Sequence, residues 1–148
     1  MKILLVDDHE MVRLGLKSYL DLQADVEVVA ESSNGREGVE LALELRPDVI
    51  IMDIVMPEMN GIEATMVILE TWPEAKILIL TSYLDNEKIY PVLDAGAKGY
   101  MLKTSSADEI LHAVRKVARG EVAIETEVSK KVQHHRNHIE LHDDLTAR

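Results

Sequence analysis

The sequence predicts an α/β protein built on a doubly wound, five-stranded parallel sheet in the order 2-1-3-4-5. Three observations carry that expectation. Short apolar runs recur along the chain, segments with helical spacing alternate with them, and most runs are continuous rather than alternating. Continuous Val/Ile/Leu runs suit strands covered on both faces, which is the situation of a parallel sheet between two helical layers.

The elements follow in order. "KILLV" at 2–6 reads as the first strand, and Val12, Leu16 and Tyr19–Leu20 mark one face of the helix after it. "VEVVA" at 26–30 is the second strand, followed by a helix whose stripe is Val39, Ala42 and Leu43 and which stops before Pro47. "DVIIM" at 48–52 precedes a helix striped by Ile62, Met66 and Leu69 that stops before Pro73. "KILIL" at 76–80 leads into the weakest helix, 85–95, where Pro91 predicts a kink or a short element. "GYML" at 99–102 is the fifth strand. The last helix has a capping box in Ser106 and Glu109, a stripe of Ile110, Leu111, Val114 and Val117, and Gly120 to close it.

At 148 residues the chain has the length of one domain. Its composition is 47% hydrophobic but contains no Phe, so Leu, Ile, Val and Met must fill the core. The balance of 16 Lys+Arg against 27 Asp+Glu gives a net charge of −11, which argues against this segment gripping a phosphate backbone by itself. Without Cys there is no disulfide framework and no thiolate metal site. Apolar runs stay well short of the roughly 18 residues of a membrane span, and Asp7, Asp8 and Glu10 interrupt the only early one, so a cytoplasmic chain without membrane insertion is expected.

In open α/β sheets ligands bind beyond the carboxyl ends of the strands. Asp7 and Asp8 end the first strand, Asp53 the third, Thr81 the fourth and Lys103 the fifth, while the second offers only Glu31 and small residues. In the order 2-1-3-4-5 the first and third strands are neighbours, so three carboxylates converge. Such groups repel unless a cation joins them, and Mg²⁺ (or Mn²⁺) bound by a few carboxylates, a carbonyl and waters resolves the repulsion. One carboxylate can then also attack phosphorus, with Thr81 and Lys103 holding phosphoryl oxygens by a hydroxyl bond and a point charge. Taken singly, an Asp after a strand is most often a cap or turn residue. Suitable residue types at four strand ends make the joint pattern specific.

The stretches "LLVDDHEMVR", "DVIIMDIVMPEMNGIEA", "ILILTSY" and "DAGAKGYMLKT" together resemble the receiver domain of bacterial two-component response regulators over roughly residues 1–120. The resemblance is to the LuxR/NarL type and, within it, to cell-envelope-stress regulators, on "HEMVR", "DNEKIYPVLDAGA" and "LKTSSA". It implies a flavodoxin-like order of strands and a phosphorylation-operated switch rather than an enzyme with a turnover substrate. Asp53 would accept a phosphoryl group from a sensor histidine kinase in a Mg²⁺-dependent, self-catalysed transfer. Asp7, Asp8, Asp53 and the backbone carbonyl of Val55 would hold the metal. Thr81 and Lys103 would read the phosphoryl oxygens, and Tyr100 matches the aromatic that turns inward on activation. Many receivers have Pro after the lysine, whereas Thr104 stands here. The Val55 side chain offers no polar group to an attacking water, which predicts slow autodephosphorylation.

Residues 121–148 are polar, contain four of the six His and carry no strand signal, so they read as a linker, helical from about Thr126. The sequence closes on Leu145-Thr146-Ala147-Arg148, which in the resembled type opens a helix-turn-helix domain. The expectation is a homodimer on activation that meets promoter DNA only through a domain absent from this chain. Two other readings compete. A stand-alone receiver would act through protein contacts. A Mg²⁺-dependent aspartyl phosphatase would carry an acid two residues after its nucleophile, where Val55 stands. His9 reads as a solvent-facing residue opening the first helix, and His134, His138 and His142, though at i, i+4, i+8, as part of a polar linker. Met56, Met59, Met66 and Met101 read as apolar gap-fillers.

Overall fold

The computed structural model describes residues 1–82 and 86–125, with the side chains of 86–89 left aside. The expected linker helix and His134, His138 and His142 lie outside the described residues. Within them the elements alternate as β1 (Lys2–Val6), α1 (Glu10–Asp21), β2 (Glu27–Ser32), α2 (Gly35–Leu45), β3 (Val49–Met52), α3 (Gly61–Thr71), β4 (Ile77–Thr81), α4 (Asn86–Asp94), β5 (Gly99–Leu102), α5 (Ala107–Ala118) and β6 (Ala123–Ile124). All strand pairs are parallel, in the order β2-β1-β3-β4-β5-β6.

The continuous apolar runs are buried on both faces because successive side chains point to opposite layers. Leu4, Val6, Ile50, Met52, Ile77 and Ile79 face α2, α3 and α4, joining Ala42, Ala64, Ile68 and Val92. Ile3, Leu5, Val49, Ile51, Leu78 and Leu80 face α1 and α5, joining Leu20, Ile110, Leu111, Val114 and Val117. Helix α5 starts at the expected capping box, with the Ser106 hydroxyl accepting from Glu109 N–H at 3.1 Å and Glu109 returning to Ser106. Helix α4 spans nine residues and carries Pro91 inside it. Among the described residues no helix is long and apolar enough to cross a membrane.

Three expectations need correction. Among the described residues the sheet has six strands, not five: Ala123 and Ile124 pair with Gly99 and Tyr100, so the compact unit runs past residue 120 into the segment read as linker. A two-residue strand has no periodicity to detect; its pairing with an edge creates it. Next, β2 extends to Ser32, beyond the apolar run, because the backbone ladder with β1 continues through polar residues. Last, Met66 is 54% exposed and fills no gap. The inward line of α3 is Gly61, Ala64, Thr65 and Ile68. At a close helix–sheet approach small residues occupy the contact line, so ranking positions by apolar bulk shifted the stripe outward.

Candidate functional site

The carboxyl ends of β1, β3, β4 and β5 form one rim, and the register explains why. Val6 pairs with Met52, and Thr81 with Leu102, so the residues that follow emerge side by side. The Asp53 N–H donates to Val6 carbonyl at 2.9 Å, and the Lys103 N–H to Thr81 carbonyl at 2.8 Å, carrying the sheet one residue beyond its strands.

Lys103 binds two of the three predicted carboxylates, with Nζ 2.8 Å from Asp7 Oδ2 and 2.9 Å from Asp53 Oδ2. Asp53 is 3% exposed and its Oδ1 accepts from the Ile54 N–H at 2.8 Å. Asp7 is also buried, while Asp8 stands at the exposed lip. Thr81 ends β4 with no exposed surface. Val55 lies two residues past Asp53 with a half-exposed side chain. Tyr100 is fully buried in the layer under α4, beside the core residues of β3 and β4.

The turn after Asp53 is built for close approach. Asn60 caps α3, its side chain accepting from Glu63 N–H at 2.9 Å, and the Gly61 N–H donates to the Ile54 carbonyl at 2.7 Å. A Cβ on Gly61 would stand 1.9 Å from the Asp53 carbonyl oxygen, so only glycine lets the helix start against the end of β3.

Burial pushes the Asp53 carboxyl above its ordinary range, and the Asp7 charge adds to this, although Lys103 and the Ile54 N–H oppose it. Burial alone would lower the Lys103 ammonium, but its hydrogen bonds and charge pairing with Asp7 and Asp53 win and hold it above its usual value. The rim is thus a desolvated charge cluster.

His9 opens α1 and is exposed, as expected from the sequence, and its ring also reaches the cluster. Its ring turns back over the cluster, with Nδ1 2.9 Å from Asp7 Oδ1, 3.1 Å from Asp8 Oδ1 and 3.2 Å from Lys103 Nζ. Ligand atoms of Asp7, Asp8, His9 and Asp53 all lie within 4.8 Å of one another. Three carboxylates gather here around the single ammonium of Lys103. This donor set fits a hard divalent ion. The adjacency of His9 to Asp8 was visible in the sequence, but the direction of its ring was not.

Comparison with known proteins follows the same lines. The response regulator receiver domain family matches residues 3–115. The chain is 49% identical over 152 aligned positions to the transcriptional regulatory protein LiaR of Bacillus subtilis, covering all of this chain and 72% of LiaR. It is 48% identical over 149 positions to the response regulator VraR of Staphylococcus aureus, covering all of this chain and 71% of VraR. Among solved structures, a LuxR-family two-component response regulator from Aurantimonas superposes with TM-score 0.85 at 32% identity over 91% of this chain and 96% of that one. The isolated receiver domain of RcsB from Salmonella enterica, determined with the phosphomimetic BeF₃⁻, gives TM-score 0.80 at 26% identity over 88% of this chain and 96% of that one. With its fold, its rim of acids and relatives at nearly half identity along its whole length, this chain belongs to the response regulator receiver domain family, among regulators of the LuxR type.

Proposed function

We propose that this chain is a phosphorylation-operated switch whose acceptor is Asp53. The observation that carries the reading is the placement of Asp53, buried at the end of β3 and held by Lys103 beside a second buried carboxylate. Burial makes the ionised Asp53 carboxylate costly, a cost that Lys103 and the Ile54 N–H offset only in part, and groups held in that way cluster at functional sites.

The partner is a sensor histidine kinase. An Asp53 carboxylate oxygen attacks phosphorus, a P–O bond forms, the P–N bond of the kinase phosphohistidine breaks, and the imidazole nitrogen takes the leaving electron pair. Asp7, Asp8, Asp53 and the Val55 carbonyl would hold Mg²⁺, which supplies charge neutralisation when bound. Lys103 then binds a phosphoryl oxygen in place of the Asp53 carboxylate, and the Thr81 hydroxyl donates to another. The alkyl side chain of Val55 gives an attacking water no partner, which slows hydrolysis of the phosphoryl group.

Output follows as a shift between populated states. Drawing Thr81 toward the phosphoryl group favours the inward Tyr100 and re-forms the face of α4, β5 and α5. Activation favours a homodimer, either through that face or through α1 and α5, where Met11 and Leu14 are exposed. Promoter binding is assigned to a domain separate from this receiver. Cell-envelope stress is the signal that the sequence resemblance implies.

The test is intact mass after incubation with a small phosphodonor and Mg²⁺. Wild type gains one phosphoryl group; Asp53→Asn, and wild type in excess chelator, gain none. A stable phosphoryl adduct on Asp53→Asn contradicts the acceptor assignment. Sedimentation with and without BeF₃⁻ and Mg²⁺ then tests the coupling to assembly, and an unchanged mass rejects it.

A further inference from the structure

We propose that the groove between α5 and β6 is a docking site for the stretch 128–139 of this same chain, so that the segment following the receiver is held against α5. The proposal concerns a face away from the acidic rim and does not depend on the phosphoryl chemistry assigned there.

The groove comes from the way the sheet ends. Among the described residues β6 is the last strand on its side, so the sheet stops there on an edge. Between that edge and α5 lies a groove of about 330 Å³. Its floor is apolar: Met101, Ala113 and Ala123 are buried, and Ile124 is partly so. Its lip is acidic, with Asp108 and Glu109 from the first turn of α5 and Glu125 just past β6. Asp108 accepts the Tyr19 hydroxyl and Glu109 closes the capping box, so both carboxylates are anchored where they stand. An apolar floor rimmed by charge is the form of a surface that takes a partner.

The occupant is argued from reach, pattern and charge. The chain leaves the described residues at Glu125, itself a lining residue of the groove. Val128 stands three residues on, and three residues span at most about 10 Å, so a partner at this lip is already tethered to it. At helical spacing Val128, Val132 and Ile139 fall on one face, within about 40° of one another, and Lys131 and Arg136 fall on either side of that face. The stretch 128–139 holds Lys130, Lys131 and Arg136 and no acid, in a chain of net charge −11. A cationic stretch with one apolar face thus follows directly on a groove with an apolar floor and an acidic lip. Burial of the aliphatic side chains supplies the attraction, and the exposed charge pairs set orientation more than affinity.

The test uses the full 148-residue chain, which contains no Cys, so Gln133→Cys carries one nitroxide label at a position off the apolar face. Backbone amide resonances of the ¹⁵N-labelled chain then report which residues lie near the label. The expected result is selective broadening at Ala113, Ala123 and Ile124, with Val39 and Ile68 of the opposite helical layer unaffected. Adding Val132→Asp to the labelled chain should remove that broadening, and Lys130→Glu with Lys131→Glu should weaken it, while the dispersed receiver spectrum shows that the fold is kept. A second sample mixes nitroxide-labelled ¹⁴N chain with unlabelled ¹⁵N chain, and it should show no broadening at the groove. Broadening that appears only in the mixed sample assigns the groove to a second copy and overturns the proposal. So does an absence of broadening at the groove, or broadening that Val132→Asp leaves undiminished.

Discussion

The middle of the sheet and its carboxyl rim are made by the same strands, yet they obey opposite rules. In the middle, Leu4, Ile50 and Ile79 are wholly buried among apolar neighbours, and every ladder hydrogen bond is made by backbone. One residue past the strands, Asp7 and Asp53 are as nearly buried but charged, and Lys103 compensates only part of their repulsion. The middle is where burial stabilises the fold. The rim is where the fold holds groups in states they would not choose in water. The difference teaches that burial alone does not say whether a residue supports the structure; the chemistry of what is buried decides.

The largest break in this contrast is expected where the two regions touch. Gly61→Val puts a side chain onto the Asp53 carbonyl and forces α3 off β3, at a cost of roughly 4 kcal/mol or more. Urea unfolding should show a chain that is mostly unfolded or far less stable; near wild-type stability would mean the turn has room to move. Next comes the interior. Leu4→Ala should cost about 3 kcal/mol by lost transfer and a cavity, regardless of Mg²⁺. If added Mg²⁺ changes that loss, core and rim are not separable in the way described. Lys103→Met should cost about 2 kcal/mol because it leaves two buried carboxylates without their cation. Here Mg²⁺ should recover part of the loss, since a divalent ion can replace the ammonium. Thermal unfolding with and without the ion measures it, and a loss indifferent to Mg²⁺ would sharpen the comparison against a shared cation role.

Legibility in the sequence divides along the same line. The middle was readable because its physics is local and repetitive: "KILLV", "DVIIM" and "KILIL" announce doubly covered strands, and Ser106 with Glu109 announces a helix start. The rim was readable as a set of residue types at strand ends, because parallel topology turns chain position into spatial position. Three features were not readable. Ala123–Ile124 become a strand only by meeting the edge of β5. Met66 faces outward because Gly61 and Ala64 set the contact line of α3, which depends on how closely the helix approaches. The His9 ring lies over the acids through a side-chain torsion and a turn hydrogen bond, neither of which has a sequence period.

The central claim is that the rim holds Asp53 ionised at a cost to stability that a divalent cation offsets. Because the folded-state pKa of Asp53 is raised, the folded chain binds the proton more tightly than the unfolded chain does. Stability contributed by this group therefore falls as pH rises from the unfolded carboxyl value through the folded one, and is lowest at neutral pH without metal. Asp53→Asn removes that fall. The most direct measurement is the unfolding free energy of wild type and Asp53→Asn at neutral pH, first in chelator and then in Mg²⁺. The account predicts that Asn is the more stable in chelator, that its advantage shrinks toward acid pH, and that Mg²⁺ stabilises wild type more than the variant. A wild type more stable than Asp53→Asn in chelator, gaining no more than the variant from Mg²⁺, would contradict it.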